Sequence, residues 1–147
     1  MSMAETNAAG PTRRTLFLFR VGSSWFAAPP ECVAAVSAVP DRRTRVPTAP
    51  EHVLGVVNHR GRAVALFDLA RFLGLEAPPR VTRQLVLRAD EFEAAVLVEQ
   101  ARGMIEVNAE SLRPSDGSMP YVTAITDQEF GVVQLLDVAG LMSAAAA

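Results

Sequence analysis

Lysine is absent from this sequence, and cysteine, tryptophan and tyrosine each occur once. All fourteen basic residues are therefore arginines, which excludes Schiff-base chemistry and the lysine of a phosphate-binding loop. The single cysteine, Cys32, cannot form an intrachain disulfide, and nothing in the cysteine usage indicates an oxidising compartment. We therefore expect a cytoplasmic protein.

Long apolar runs and an excess of one charge are also lacking. The start of the chain has no apolar segment of the kind that a secretion signal requires, and no later run approaches the roughly 18 residues of a membrane-spanning helix. The 14 basic residues face 16 Asp and Glu, for a net charge of −2, so no positive field attracts nucleic acid or acidic lipid. We expect neither nucleic-acid binding nor direct membrane insertion.

The 147 residues, 50% of them hydrophobic, suffice for one compact domain or for two small subdomains that share an interface. Short runs rich in Val, Leu, Ile and Phe are separated by Gly, Pro and Asp clusters, which is typical of an all-β barrel or sandwich. We predict strands at residues 16–22, 25–28, 35–39, 53–58, 63–67, 84–89, 93–99, 103–107, 121–126 and 130–135.

Two short segments depart from the strand pattern, and each begins with an aspartate. Asp68 and Asp137 precede apolar residues at helical spacing, and each side chain can accept the free N–H groups of a first helical turn. We predict a helix of one or two turns after each aspartate. The caps also give both carboxylates a structural role.

The two helical segments belong to a repeat with an offset of 69 residues. The offset aligns the following pairs: Val64 with Val133, Leu66 with Leu135, Phe67 with Leu136, Leu69 with Val138, Phe72 with Leu141, Leu73 with Met142, Val53 with Val122, Val56 with Ile125, Leu16 with Leu85, and Leu18 with Leu87. The Pro-rich stretch 76–80 resists both helix and strand, and predicts a boundary near residue 80. We expect an N-terminal tail at 1–15, subdomains at 16–80 and 81–142, and a C-terminal tail at 143–147.

Candidate catalytic groups are few. A cysteine hydrolase would need Cys32 paired with His52 or His59, but Cys32 lies in an apolar run where it fits a buried small residue better. Glycosidase-like chemistry would need two acids facing one cleft, but the acidic stretch Asp90-Glu91-x-Glu93 lies between two predicted strands and is typical of a solvated hairpin turn. The two histidines lack the spacing of a zinc site. We expect no enzyme activity, no metal and no cofactor.

The segment 55–62, Gly-Val-Val-Asn-His-Arg-Gly-Arg, combines polar residues with turn signals. Asn58 and Gly61 bracket a tight turn between two apolar strands, which places Arg60 and His59 at an exposed tip. Such an arginine can bind a carboxylate or phosphate of a partner in bidentate fashion. It can equally be an ordinary solvated hairpin residue, and the sequence leaves both interpretations open.

At this segment the chain resembles the CheW-like coupling proteins of bacterial chemotaxis, over residues 16–142. Three blocks carry the resemblance: the strands and apolar run from Leu16 to Val36; Val46-Pro47-x-Ala49-Pro50 with Gly55-Val-Val-Asn-x-Arg-Gly and Val64-x-Leu-Phe-Asp-Leu69; and Ala95-Val-Leu-Val-Glu99, Leu112-x-Pro114 and the closing pair Tyr121 to Leu136. The central block is the most specific of the three.

The resemblance implies two packed five-stranded SH3-like β-barrels and a non-catalytic adaptor. One surface would bind the regulatory domain of a CheA-like histidine kinase, and another the cytoplasmic tip of a methyl-accepting chemoreceptor, with recruitment to receptor arrays. The positions that the resemblance assigns to partner binding are Val33, Val36, Gly55, Asn58, Arg60, Gly61 and Met104. For Val36 and Met104, core packing is the competing interpretation.

Four positions depart from the family pattern: Ala35 replaces a common acidic residue, His59 an apolar one, Ala65 a proline and Ala124 a glycine. The kinase-facing edge is therefore the least secure part of the functional assignment. The protein would then serve a non-flagellar array, or bind a receptor while engaging a kinase poorly. A competing hypothesis is a small-ligand or hydrolytic protein that uses the cleft between the subdomains.

Overall fold

The computed structural model describes residues 12–40, 44, 47, 49–76 and 83–146. Most of the predicted linker, Val46 of the second block, residues 1–11 and residue 147 lie outside this part. The strands are β1 (Arg13–Val21), β2 (Ser24–Ala28), β3 (Val33–Ala38), β4 (Val53–His59), β5 (Arg62–Phe67), β6 (Arg83–Ala89), β7 (Phe92–Val98), β8 (Gln100–Asn108), β9 (Arg113–Pro114), β10 (Val122–Gln128) and β11 (Gly131–Leu136). The helices are α1 (Leu69–Phe72) and α2 (Val138–Ala146).

All ten predicted strands are present, and the all-β class with two helices is confirmed. The strands form a six-stranded sheet in the order β9-β10-β11-β2-β1-β8 and a five-stranded sheet in the order β3-β6-β7-β5-β4. The prediction of five strands in each sheet is wrong for the first, because β9 adds a sixth. With two residues, one of them Pro114, β9 has no alternation that could reveal it.

Each sheet draws strands from both halves of the chain. The β1–β2 hairpin joins the six-stranded sheet through parallel pairing of β2 with β11, and the β6–β7 hairpin joins the five-stranded sheet through parallel pairing of β7 with β5. A boundary at residue 80 therefore does not separate the two sheets. A hairpin pairs internally, so its own sequence pattern does not reveal which sheet it joins.

The structure confirms the internal duplication. The bulge between Val53 and Gly55 on β4 recurs between Val122 and Ala124 on β10. The bridge from Thr44 to Val56 recurs as the pairing of Arg113 with Ile125. The N–H of Asp68 donates to the carbonyl of His52 at 2.7 Å, and that of Asp137 to the carbonyl of Tyr121, also at 2.7 Å. All these pairs keep the offset of 69 residues.

The offset is 68 residues, however, in the strands before residue 40. Phe17 pairs with Met104 while Leu85 pairs with Val36, so Phe17 and Leu85 are the equivalent residues. The predicted alignment of Leu16 with Leu85 is therefore wrong by one residue. Because side chains alternate between faces, that shift exchanges the two faces of the strand.

Three apolar clusters follow from this arrangement. One lies within each sheet: Leu16, Leu18 and Val133 belong to the six-stranded sheet, and Val57 and Val86 to the five-stranded sheet. The largest cluster lies between the sheets and includes both helices. The hairpins β1–β2 and β6–β7 are buried on both faces, because each contributes to the cluster of its own sheet and to the central cluster.

The aspartate caps are confirmed at both helices. A carboxylate oxygen of Asp68 accepts a hydrogen bond from the N–H of Arg71 at 3.2 Å, and Asp137 accepts one from the N–H of Gly140 at 3.1 Å. Helix α2 has nine residues and is longer than predicted, so residues 143–146 belong to it rather than to a tail. Residues 13–15 likewise belong to β1. Both corrections arise because tertiary packing extends elements past their local signals.

We expect Asp68→Ala and Asp137→Ala each to lower the free energy of unfolding by about 0.5–2 kcal/mol, because each change removes a helix-capping acceptor. Asp68→Asn and Asp137→Asn keep a side-chain oxygen and should lose less. Urea denaturation of the four variants measures the differences. An alanine variant as stable as wild type would contradict the capping role of that aspartate.

Candidate partner-binding surface

The β4–β5 hairpin presents the turn that the sequence singles out. Its central residues, Arg60 and Gly61, have φ of 52° and 80°, and positive φ at both positions is the signature of a type I′ turn. The side-chain oxygen of Asn58 accepts a hydrogen bond from the N–H of Gly61 at 3.1 Å. The predicted tight turn is confirmed, with Arg60 exposed at its tip.

Arg60 occupies a backbone conformation that non-glycine residues rarely adopt. The left-handed region costs roughly 1 kcal/mol for a residue with an ordinary side chain. Within the described part of the chain, Arg60 has no ion-pair partner, whereas the neighbouring Arg62 lies 3.8 Å from a carboxylate oxygen of Glu93. The turn thus places in solvent a guanidinium that has no ion-pair partner in the described part of the chain. The fixed backbone of the turn limits where the Arg60 side chain can reach.

Val36 and Met104 are exposed rather than part of the core. Their side chains are 39% and 58% exposed, which argues against the core-packing interpretation. Val36 pairs with Leu85, and Met104 pairs with Phe17. Since Leu85 and Phe17 are equivalent in the duplication, Val36 and Met104 are equivalent positions too.

The strands that carry these two residues are also equivalent. β3 ends the five-stranded sheet and β8 ends the six-stranded sheet. Each has a register irregularity at the same place, next to Val33 on β3 and next to Ala101 on β8. The fold therefore places an exposed apolar side chain at matched positions on the two outer strands β3 and β8.

Val33 and Gly55 lie in packed parts of the structure rather than at an exposed surface feature. Val33 is partly buried and packs against the central cluster. Gly55 is buried at the β4 bulge with φ of 152°, where a side chain is disfavoured. Val33 therefore exposes only part of its side chain, and Gly55 has none, so an effect of Gly55 on a partner would act through the shape of β4.

The surroundings of Cys32 oppose a nucleophilic role. Cys32 is half-buried at the end of a short 3₁₀ turn. Burial raises the pKa of its thiol above the ordinary value, the carboxylates of Glu31 and Asp90 raise it further, and Arg88 acts in the opposite direction. A raised pKa lowers the thiolate fraction at neutral pH, and the thiolate is the nucleophilic form.

A small apolar pocket lies between the two helices and the strands β5 and β7. It is lined by Phe67, Leu69, Phe72, Ala94, Val96, Leu141, Met142 and Ala145. These side chains supply no titratable group, so the pocket does not have the chemistry of a hydrolase.

Over the described ranges, no group of three or more His, Cys, Asp or Glu is placed to hold a metal ion. In the same ranges, no helix has the length and apolarity needed to cross a membrane.

Sequence reasoning missed several exposed apolar residues. Phe92, Phe130 and Val132 are 50%, 42% and 48% exposed, and Phe130 packs edge-on against the ring of Trp25. Phe92 and Phe130 lie beside acidic residues in hairpin turns, a context that breaks the alternation expected of a half-buried strand. The exposure of these two aromatic rings could have been predicted from their position next to acidic turn residues.

We expect Arg60→Asn to raise the free energy of unfolding by about 0.5–1 kcal/mol, because asparagine tolerates the left-handed region better than arginine. Gly61→Ala is a control with the opposite expected effect, a lower free energy of unfolding. An added Cβ at Gly61 meets no atom within 4 Å, so its destabilisation would report the positive φ alone. Thermal and urea denaturation measure both changes, and an unchanged or lower stability of Arg60→Asn would contradict strain at this turn.

We expect Cys32 to react with dithionitrobenzoate at pH 7 more slowly than an unstructured cysteine peptide does, because its pKa is raised. Partial burial also slows the reaction, so the pH dependence is the decisive measurement. The rate should reach half its maximum at a pH above the ordinary cysteine pKa of about 8.5. A midpoint below that value would indicate an activated thiol.

Comparison with known proteins is consistent with this geometry. A family model described as the CheW-like domain matches residues 15–146. Protein PilI of Pseudomonas aeruginosa is 31% identical over 118 residues, which cover 76% of this chain and 66% of PilI, just under two thirds of its length. A probable chemotaxis protein CheW of Rhizobium etli is 28% identical over 123 residues, covering 80% of this chain and 74% of the relative.

A solved structure shows the same fold. The scaffolding protein TtCheW of Thermoanaerobacter tengcongensis superposes with a TM-score of 0.76 at 18% identity, over 86% of this chain and 90% of that one. At this identity the superposition supports the fold alone. The match of the family model to nearly all of the described residues shows that the chain belongs to the CheW-like domain family.

Proposed function

We propose that this protein is a non-catalytic adaptor that couples chemoreceptors to a CheA-like histidine kinase in bacterial chemosensory signalling. Membership of the CheW-like family supports the proposal. The observation that carries it is Arg60, an exposed guanidinium at the tip of the β4–β5 turn that has no ion-pair partner among the residues the structure describes. Backbone strain that does not serve stability is characteristic of functional positions.

Two kinds of surface suit the two partners. Arg60 can bind a carboxylate of a partner in bidentate geometry. Val36 and Met104 offer apolar contacts on outer strands, which suit a helical or extended partner segment. We assign these residues, with Asn58 and Gly61 as supports of the turn, to binding of the kinase regulatory domain and of the receptor tip. The protein would then act in the cytoplasm, at receptor arrays.

The departures from the family pattern lie mainly in packed positions. Ala35 packs in the cluster of the five-stranded sheet, Ala65 against the central cluster, and Ala124 in the cluster of the six-stranded sheet. Only His59 lies next to the turn. An alanine at position 35 offers no carboxylate to a partner, so we expect affinity for the kinase to be more affected by these departures than affinity for the receptor.

The hydrolytic alternative has weaker support. Its nucleophile would be Cys32, which does not line the apolar pocket and has a raised pKa. His52 packs against the rings of Phe67 and Phe72, with centroid distances of 5.7 and 4.6 Å, in an apolar setting. In the described ranges no contact joins Cys32 to His52 or His59, so the adaptor is the function that the geometry supports best.

We expect Arg60→Glu to weaken binding to a kinase regulatory-domain fragment, a receptor-tip fragment or both by about thirtyfold or more. Truncation of an arginine anchor commonly costs about 2 kcal/mol, and charge reversal adds repulsion. Titration calorimetry against each fragment from the source organism measures the affinities. The free energy of unfolding should change by no more than about 0.5 kcal/mol, because Arg60 makes no ion pair in the described part of the chain.

Arg13→Glu is the matched control, because Arg13 is an exposed arginine at the start of β1, away from the turn. It should bind both fragments with wild-type affinity. Wild-type affinity of Arg60→Glu for both fragments would remove Arg60 from the interface. Failure of the wild-type protein to bind either fragment would overturn the adaptor function itself.

A further inference from the structure

Glu93, on β7, is a nearly buried carboxylate with few compensating contacts. Its side chain is 14% exposed, and its Oε1 is buried without a hydrogen-bond partner in the part of the chain that the structure describes. Nη1 of Arg62 lies 3.8 Å from that oxygen, a distance that makes an ion pair but is too long for a hydrogen bond. A carboxylate removed from water with so little compensation lowers stability.

Arg88 does not supply the missing contact. It is opposite Glu93 in the pairing of β6 with β7, but its Nε donates a hydrogen bond to the carbonyl of Glu31 at 3.3 Å. Among the described residues, Arg62 is therefore the one ion-pair partner of Glu93.

The internal duplication shows that the fold does not require a charge at this place. By strand register, Glu93 is equivalent to Trp25. Arg62 is equivalent to Gly131, where an added Cβ would lie 3.6 Å from Cδ1 of Trp25. The other repeat thus fills the same place with an aromatic ring against a glycine. Because an uncharged pair packs there, packing does not explain a buried carboxylate here.

Arg62 adjoins the turn that carries Arg60. It is the first residue of β5, two positions after Arg60, and its side chain is 67% exposed. Arg60 has no ion pair among the described residues, whereas Glu93 partly compensates the charge of Arg62. A guanidinium that is mostly in solvent can leave a loose ion pair for a carboxylate with better geometry at little cost.

We propose that Arg62 is a second partner-binding arginine, and that Glu93 lowers the affinity of the β4–β5 turn for its partner by competing for Arg62. The ligand is a carboxylate of an acidic partner segment, which accepts from Arg62 the hydrogen bonds that Glu93 does not accept at 3.8 Å. This inference rests on the proposed adaptor function and adds to it a residue that sets its affinity.

Partner binding exchanges one ion pair for another. The partner carboxylate gains Arg62, and Glu93 loses it while remaining nearly buried, so the cost of this loss is subtracted from the affinity. Neutralising Glu93 removes that cost, and the affinity then rises. A glutamate that only stabilised the fold would not produce this gain.

The test is titration calorimetry with each fragment, kinase regulatory domain or receptor tip, whose binding Arg60→Glu weakens. Glu93→Gln keeps the shape of the side chain and removes its charge, so it should strengthen binding about threefold or more. Glu91→Gln is the matched control, because it removes an exposed negative charge from the same hairpin that makes no ion pair with Arg62 in the described structure. It should bind with wild-type affinity. Thermal melts establish that each variant is folded.

The decisive comparison is made without Arg62. Arg62→Gln should weaken binding about threefold or more, and adding Glu93→Gln to it should then change the affinity by less than about 1.5-fold. If Arg62→Gln is unstable because it leaves Glu93 without a cation, the double variant, which removes both charges, is compared with Glu93→Gln and should bind more weakly.

Unchanged or weaker binding by Glu93→Gln, an equal gain from Glu91→Gln, or an equal gain from Glu93→Gln without Arg62 would overturn the inference. Wild-type affinity of Arg62→Gln would do the same. In each case the loss of binding by Arg60→Glu would still support the adaptor function. Wild-type affinity of Arg60→Glu for both fragments would instead overturn the interface, and this inference with it.

Discussion

The fold depends on two hairpins that are buried on both faces. β1–β2 lies between β11 and β8, and β6–β7 lies between β5 and β3, so each hairpin fills the middle of a sheet built mainly from the other half of the chain. Their inner residues, such as Phe19, Phe26 and Leu87, are fully buried. Loss of either hairpin would expose both a sheet cluster and the central cluster, so we do not expect the two halves to fold separately.

Much of this architecture can be predicted from the sequence, because its signals are local. Alternating apolar residues between turn residues locate ten strands, and Asp68 and Asp137 locate the helices through an i, i+3 hydrogen bond. The exchange of hairpins, in which β1–β2 and β6–β7 each join the sheet built mainly from the other half of the chain, cannot be found in this way. The alternative partner strands have similar apolar patterns, so local sequence does not distinguish them. The one-residue error at Leu16 has the same origin, because both faces of β1 are apolar and neither register is penalised.

The candidate surface likewise has one part that local sequence signals predict and other parts that they do not. The Arg60 turn is predictable because Asn58 and Gly61 are three residues apart and set the turn by their local hydrogen bond. The contacts of Phe130 and Arg102 with Trp25 cannot be predicted in this way, because they join residues that are distant in sequence and form only once β2 pairs with β11 and β1 pairs with β8. Exposure of Val36 and Met104 also depends on that exchange, which makes β3 and β8 the outer strands.

The duplication separates what the core constrains from what it leaves free. Positions that face the central cluster stay apolar in both repeats, as Phe17 and Leu85 do, because a polar group there would lose its hydrogen bonds to water. Outer-strand positions also stay alike, as Val36 and Met104 do. The hairpin ends do not, and Trp25 stands where the other repeat has Glu93. The core therefore constrains the strands of both halves to stay alike, whereas the solvent-exposed hairpin ends are free to differ in charge and in aromatic content.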